Sequence, residues 1–172
     1  MRRVLAFLVM SLFTVGVVAA TPSPASADTL QGIYKLVNDR SDKCLDQSWT
    51  GGTEDKNVQA YVCSNPGTNQ QWKWVTTGDG RIYFINVRSN KCLDQSYSGG
   101  TADREVIAYP CNGNANQYWR LVNLSGSTFS LQNTRSGQCL DQSWSGGTED
   151  RAVIAYACDG SKLNQKWIAL TV

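Results

Sequence analysis

The chain has 172 residues, of which 41% are hydrophobic, and it contains six cysteines but no histidine. Its 16 lysines and arginines exceed its 14 acids by two, and Arg2 and Arg3 account for that excess. The absence of histidine excludes Ser-His-Asp and Cys-His catalysis, and the balanced remainder gives no electrostatic reason to expect nucleic acid or an anionic membrane as a partner.

The first 27 residues are predicted to be a secretory signal peptide. Arg2 and Arg3 precede an apolar run from Val4 to Ala20, and small residues at 25–27 offer a cleavage site. The alternative is a membrane anchor, but this run is at the short limit for a span. We therefore expect a secreted, extracellular mature chain over 28–172, one domain in size, with no membrane association after cleavage.

A ten-residue unit recurs three times in the mature region. It reads Cys-Leu-Asp-Gln-Ser-aromatic-x-Gly-Gly-Thr, and each copy is followed by Gln-x-Trp. The first cysteines of the copies, Cys44, Cys92 and Cys139, are 48 and 47 residues apart. A fixed period of this size indicates one supersecondary unit used three times. Such a chain carries up to three equivalent polar sites, which favours a multivalent binder over an enzyme with one unique site.

Short strands separated by turn residues are predicted along the whole mature chain. Turn residues recur about every 8–12 residues without a helical period, which favours an all-β barrel or sandwich. The three repeats, about 32–76, 80–123 and 127–172, each contribute four strands and must share one core. The predicted strands are 33–38, 43–47, 58–62, 71–75, 81–88, 91–94, 106–109, 118–122, 128–133, 138–141, 153–156 and 166–170.

The cysteines form three pairs with identical separations. Export to an oxidising compartment makes disulfides the expected state, and six cysteines allow fifteen pairings. Bridges closed inside each repeat are the scheme that gives all three repeats the same local geometry. Each is expected to contribute about 2–4 kcal/mol. The predicted bridges are Cys44–Cys63, Cys92–Cys111 and Cys139–Cys158.

These repeats, with their Cys-Leu-Asp, second cysteine and Gln-x-Trp, resemble the ricin-type β-trefoil lectin domain in its secreted, bacterial form. The resemblance extends over the mature chain. It implies a closed six-stranded barrel capped by three hairpins, with twelve short strands in all and pseudo-threefold symmetry. Closing the barrel also removes free sheet edges. The Gln-x-Trp tryptophans, Trp72, Trp119 and Trp167, are predicted to be core residues.

The resemblance also implies a carbohydrate-binding site in each repeat. Its members are the aspartate after Cys-Leu, an aromatic residue two before the second cysteine, and the Asn-Gln of Asn-Gln-x-Trp. Gln59 matches a further polar position, which Ile107 and Ile154 replace in the other two repeats. The implied residues are Asp46, Gln59, Tyr61, Asn69 and Gln70; Asp94, Tyr109, Asn116 and Gln117; and Asp141, Tyr156, Asn164 and Gln165.

The chemistry of these residues suits a sugar. An aromatic ring can cover the apolar C–H face of a pyranose, a carboxylate accepts strong hydrogen bonds from hydroxyl groups, and the Asn69 amide can donate or accept. We expect Gln70 to support Asp46 from behind. The alternative is that Asp46 bonds loop amides. A second aromatic, Trp49, Tyr97 or Trp144, follows each Asp-Gln-Ser, and we favour a loop anchor over a second stacking surface for it.

We therefore predict a non-catalytic lectin, monomeric, with carbohydrate as partner and with no cofactor and no metal. A protein-interaction trefoil such as a protease inhibitor is the first alternative, although its single distinctive loop fits three near-identical loops poorly. A glycosidase is the second, and it would need a matched pair of carboxylates. The adjacent acids Glu54-Asp55 and Glu149-Asp150 have no regular calcium-ligand spacing and are interpreted as solvated turn residues.

Overall fold

The computed structural model describes residues 27–50, 53–98, 101–145 and 148–172. Most of the predicted signal peptide and the three Gly-Gly turns lie outside the described residues. No helix in the described ranges is long and apolar enough to span a membrane. The strands are β1 Thr29–Asn38, β2 Cys44–Thr50, β3 Thr53–Tyr61, β4 Trp72–Thr76, β5 Ile82–Asn86, β6 Cys92–Ser98, β7 Thr101–Tyr109, β8 Trp119–Ser125, β9 Thr128–Asn133, β10 Cys139–Ser145, β11 Thr148–Tyr156 and β12 Trp167–Thr171.

Six of these strands close into a barrel and the other six form three hairpins. Antiparallel pairings run in a ring from β1 through β4, β5, β8, β9 and β12 and back to β1. The hairpins β2–β3, β6–β7 and β10–β11 cap one end, where β3, β7 and β11 pair with one another. The chain is thus all-β, a β-trefoil of twelve strands, as the sequence predicted.

One tryptophan from each repeat joins the barrel to its cap. Trp72, Trp119 and Trp167 begin β4, β8 and β12 and have no exposed surface. Their indole N–H groups donate to the carbonyl oxygens of a leucine in the adjacent hairpin, at 2.9, 3.2 and 3.0 Å. A buried indole needs such a partner, so the predicted core role of these residues is confirmed.

Disulfides close each repeat as predicted. They join Cys44 to Cys63, Cys92 to Cys111 and Cys139 to Cys158, and the described residues include no free cysteine. Each bridge ties the first residue of a hairpin to a segment two residues beyond the hairpin's end. That segment leads into a short 3₁₀ turn, Thr68–Gln70, Ala115–Gln117 or Leu163–Gln165, which carries the Asn-Gln pair.

The hairpins are longer than the sequence predicted. The second strand of the first hairpin begins at Thr53 rather than at 58, and a bulge lies between Gln47 and Trp49. Trp49, Tyr97 and Trp144 therefore lie on strands and not in a loop. β-Bulges bend a strand and redirect its side chains, and this one recurs at the same position in all three hairpins.

Candidate functional site

The strand register of each hairpin brings an aspartate and a tyrosine to the same face. In the first hairpin Asp46 pairs with Gln59, and Cys44 pairs with Tyr61. Residues directly opposite, and those two further along, share a face of the sheet. Asp46 is 3% exposed, whereas Tyr61 is 44% exposed. The aspartate therefore lies at the floor of a depression, here called the first cup, and the tyrosine forms its wall.

Three amides bind the carboxylate of the first cup. Asn69 Nδ2 and Gln70 Nε2 donate to Asp46 Oδ2 at 2.9 and 2.8 Å, and Gln59 Nε2 donates to Oδ1 at 3.2 Å. Gln70 also donates to the Val62 carbonyl at 2.9 Å. Gln70 is almost fully buried, so it supports the carboxylate from below, while Gln59 binds the carboxylate from the side.

The second and third cups, built around Asp94 and Asp141, repeat this network without the third amide. In each, the asparagine donates to Oδ1 and the glutamine to Oδ2, at 2.8 to 2.9 Å. Ile107 and Ile154 stand opposite the two aspartates. A carboxylate has about four acceptor positions, so these two aspartates retain more capacity for a ligand hydroxyl than Asp46 does.

Burial raises the pKa of all three aspartates above the ordinary value of 3.8. Loss of solvation disfavours the charged carboxylate and is the largest cause. The glutamine and asparagine hydrogen bonds oppose it, as does the charge of Arg151 at Asp46 and of Arg104 at Asp141. The cups thus hold a desolvated carboxylate that is stabilised almost entirely by neutral amide donors.

The asparagine of each cup can only accept a hydrogen bond from a ligand, which differs from the expectation that it serves in either role. Asn116 Nδ2 already donates to Asp94 at 2.8 Å and to the Gln95 carbonyl at 3.1 Å. Asn69 and Asn164 use both amide hydrogens in the same way. Asn116 Oδ1 is buried and has no partner among the described residues. The oxygen is therefore the atom of this side chain that keeps hydrogen-bonding capacity.

Sequence reasoning missed a second repeated motif, Asn-x-Arg-Ser, which completes each cup from the following repeat. It occurs at 38–41, 86–89 and 133–136. Asn86 Nδ2 donates to the Asn69 carbonyl at 2.8 Å, and Ser89 Oγ donates to Gln47 Oε1 at 2.6 Å. The same period that revealed the Cys-Leu-Asp unit also marks this motif, but its role depends on contacts between repeats that no local pattern reveals.

The arginine of this motif lies over the second aromatic of the cup. The Arg88 guanidinium carbon is 3.7 Å from the centroid of the Trp49 ring. Arg135 and Arg40 stand at the same distance from Tyr97 and Trp144. Cation–π contact of this kind fixes a ring in place. Each of these aromatics is thus a strand residue held by an arginine of the following repeat, and not the loop anchor expected from the sequence.

Anchoring does not remove these aromatics from the cups. Tyr97 lines a cavity of about 330 Å³ together with Asp94 and Tyr109. Trp144 lines a cavity of about 680 Å³ together with Asp141 and Tyr156. Each of these cavities is therefore lined by two aromatic rings and a carboxylate.

The acidic residues that follow the Gly-Gly turns show less evidence of a binding or metal site. The Asp55 carboxylate accepts the backbone N–H and side-chain amide of Asn57, each at 3.2 Å, which is a turn-forming arrangement. The side chains of Glu54, Asp103, Glu149 and Asp150 lie outside the described residues. No group of three potential metal ligands occurs in the part of the chain that the structure describes.

Solved structures with the same fold include lectins and a designed protein. The designed threefold-symmetric protein ThreeFoil is 35% identical with a TM-score of 0.72, and the match covers 83% of this chain and 100% of that one. The hemolytic lectin CEL-III is 31% identical with a TM-score of 0.63, and the match covers 81% of this chain but 30% of CEL-III. The chain has no match among curated proteins.

A fungal lectin has the same fold at lower identity. The ricin B-like lectin of Macrolepiota procera, solved in complex with lactose, is 20% identical with a TM-score of 0.66, over 84% of this chain and 98% of that one. The family model described as the ricin-type beta-trefoil lectin domain matches residues 32–167. Because that match includes all three cups and most of the barrel, the chain belongs to the ricin-type beta-trefoil lectin family.

Proposed function

We propose that the mature chain is a secreted, non-catalytic lectin with three carbohydrate sites, one in each cup. One observation carries the proposal. In every repeat a desolvated carboxylate, held by two side-chain amides, lies beside a tyrosine that is 44 to 49% exposed. A half-exposed aromatic ring next to a buried acceptor matches the two surfaces of a pyranose, its apolar face and its hydroxyl rim.

In the proposed complex the roles of the side chains follow from their hydrogen bonds. The aspartate accepts hydroxyl hydrogens, the asparagine oxygen accepts one more, and the tyrosine covers the apolar sugar face. The glutamine is fully engaged below the carboxylate and contacts no ligand. Its Oε1 accepts a backbone N–H at 2.8 to 2.9 Å in all three cups.

Individual cups of this open kind should bind weakly. A dissociation constant of about 0.1–1 mM corresponds to about 4–5.5 kcal/mol. Simultaneous engagement of two or three cups on one polysaccharide or glycan-coated surface would raise avidity by about 10²–10⁴-fold without new contacts. We therefore propose that the physiological ligand is polymeric or clustered.

The test is binding of the mature protein, residues 28–172, to a glycan array and to immobilised lactose. We expect retention to be lost in the triple variant Asp46→Ala, Asp94→Ala, Asp141→Ala. Because removing buried aspartates can also unfold the protein, a second triple variant replaces the exposed tyrosines 61, 109 and 156 with alanine. Circular dichroism checks the fold of both. Retention by a folded tyrosine variant at the level of the unchanged protein would contradict the proposal.

The glycosidase alternative has one observation in its favour. Asp159 lines the third cup together with Asp141, so two carboxylates border one cavity. However, Asp159 Oδ1 accepts both the backbone N–H and the hydroxyl of Ser161, at 2.9 and 2.7 Å, which is the role of a turn residue. We expect no reducing sugar to be released from bound glycans. Release that is abolished by Asp159→Asn would favour the enzyme.

A further inference from the structure

The three cups are not equivalent, because the first and third carry a tryptophan where the second carries Tyr97. Trp49 Nε1 and Trp144 Nε1 are buried and have no hydrogen-bond partner among the described residues. A buried donor without a partner is costly and rare in proteins. In the second cup the unpartnered buried atom is instead an acceptor, Asn116 Oδ1. The first and third cups thus have a buried indole N–H at the position where the second has the ring of Tyr97.

The first and third cups also differ from the second cup in an arginine that lies over the exposed tyrosine. Arg151 lies over the Tyr61 ring at 4.4 Å, and Arg104 lies over the Tyr156 ring at 4.6 Å. Each arginine comes from the neighbouring hairpin of the cap. The corresponding residue of the first repeat is Lys56, which forms an ion pair with Glu105 at 3.5 Å.

These cap arginines act on the cups and are not only structural. Arg104 lines the third cavity together with Asp141. Burial raises the pKa of Asp46 and Asp141, and the charges of Arg151 and Arg104 partly oppose that rise; no arginine is among the causes at Asp94. The guanidinium that lies over a ring keeps its in-plane N–H donors for other partners. All three cups have an arginine over the second aromatic, and the first and third cups each have one guanidinium more. The third cavity is also lined by Lys162 and Asp159, whose charges are opposite.

We propose that the first and third cups select acidic sugar residues, such as a uronate, while the second takes a neutral sugar. Arg151 and Arg104 are the specificity-determining residues. The proposal rests on the proposed lectin function and names the ligand class of its sites. A carboxylate on the sugar matches the fork of a guanidinium, and that charge offsets repulsion from the aspartate at the floor. The second cup has Arg135 over Tyr97 but no cap arginine over Tyr109, so an acidic sugar there has one guanidinium fewer to offset the charge of Asp94.

The test is a nuclear magnetic resonance titration of the mature protein with two probes, methyl galactoside and methyl galacturonide. The indole N–H resonances of Trp49 and Trp144 report the first and third cups, and the Asn116 side-chain amide reports the second. We expect the galacturonide to bind the first and third cups about 5–10-fold more tightly than the galactoside. At 1 M salt that preference should shrink, because the Debye length falls to about 3 Å.

Matched variants identify the residues responsible. The double variant Arg104→Gln, Arg151→Gln should lose the preference for the galacturonide, so that the first and third cups bind both probes with equal affinity. Lys56→Gln, at the equivalent position of the first repeat, should change the affinity for neither probe. Preference in all three cups, or preference that survives the double variant, would overturn the proposal. Equal binding of both probes would also overturn it and leave the lectin function intact, whereas no shift in any cup with either probe would contradict the lectin function itself.

Discussion

Replacing Gln117 with leucine tests how much the glutamine amide that supports Asp94 contributes to the free energy of unfolding. Leucine keeps most of the side-chain volume and removes the 2.8 Å bond to Asp94 Oδ2. A hydrogen bond to a charged group is worth about 1.5–3 kcal/mol. We expect the free energy of unfolding at neutral pH to fall by at least this amount, which corresponds to a melting temperature lower by about 3–12 °C. Further loss comes from the Pro110 carbonyl and the Asn112 N–H, which also lose their partner.

The pH dependence of the destabilisation distinguishes the lost bond to the Asp94 carboxylate from the lost bonds to the backbone. Burial already raises the pKa of Asp94, and removing a donor raises it further. When the folded-state pKa lies above the unfolded-state pKa, the free energy of unfolding rises as pH falls through the folded-state value. Because the variant has the higher folded-state pKa, this rise begins at a higher pH in the variant. Below the unfolded-state value of 3.8 the carboxyl group is neutral in both proteins. A bond to a neutral group is worth about 0.5–1.5 kcal/mol, so the destabilisation should shrink there.

The assay is urea unfolding of the variant and the unchanged protein from neutral pH to below 3.8. Gln70→Leu in the first cup provides the matched comparison. Asp46 retains Gln59, Asn69 and the charge of Arg151, so the pH-dependent part of the loss should be smaller there than at Asp94. A destabilisation that is the same at every pH, or larger in the first cup, would refute the assignment of the glutamine to carboxylate support.

Three further outcomes are expected. Sugar binding should weaken as pH falls through the raised aspartate pKa, above 3.8, because protonation replaces the charge-assisted bonds of the carboxylate with weaker neutral ones; calorimetry at a series of pH values measures this. Replacing Cys92 and Cys111 with alanine opens a loop closed across 19 residues and should cost about 3 kcal/mol of unfolding free energy. Asn86→Ala should leave the Asn69 carbonyl without its 2.8 Å donor and lower the free energy of unfolding by about 1–3 kcal/mol. Although Asn86 belongs to the second repeat, this variant should weaken sugar binding in the first cup, and the resonance shifts of each cup measure that change.

The fold was predictable because the same local sequence pattern occurs in each of the three repeats. Strand positions, the disulfide pairs and the buried Trp72 all follow from local patterns, and the threefold recurrence removes the ambiguity that one copy would leave. The pairing of Asp46 with Gln70 was also expected, since both belong to the same repeat. What these features share is that their partners lie within one repeat, at a fixed separation in sequence.

Features that cross between repeats were not predictable, and neither were those that depend on the hairpin bulge. The contact of Arg88 with Trp49 joins residues of different repeats, and a sequence period gives no information on which repeat faces which. The direction of the Asn69 amide depends on the Gln47 carbonyl, whose position is set by the bulge that follows it. The bulge itself lies beside turn residues and leaves no local sequence pattern of its own.

Because every cup takes residues from at least two repeats, a single repeat cannot hold a complete cup. The third cup depends on the first repeat, since Arg40 covers Trp144 and Asn38 donates to the Asn164 carbonyl at 3.0 Å. This contact crosses from near the start of the described chain to near its end, along the same junction where β1 pairs with β12. Closure of the barrel therefore completes the last cup. Closure of the barrel and completion of all three cups are in this way the same event, and loss of closure would disrupt a cup as well as reduce stability.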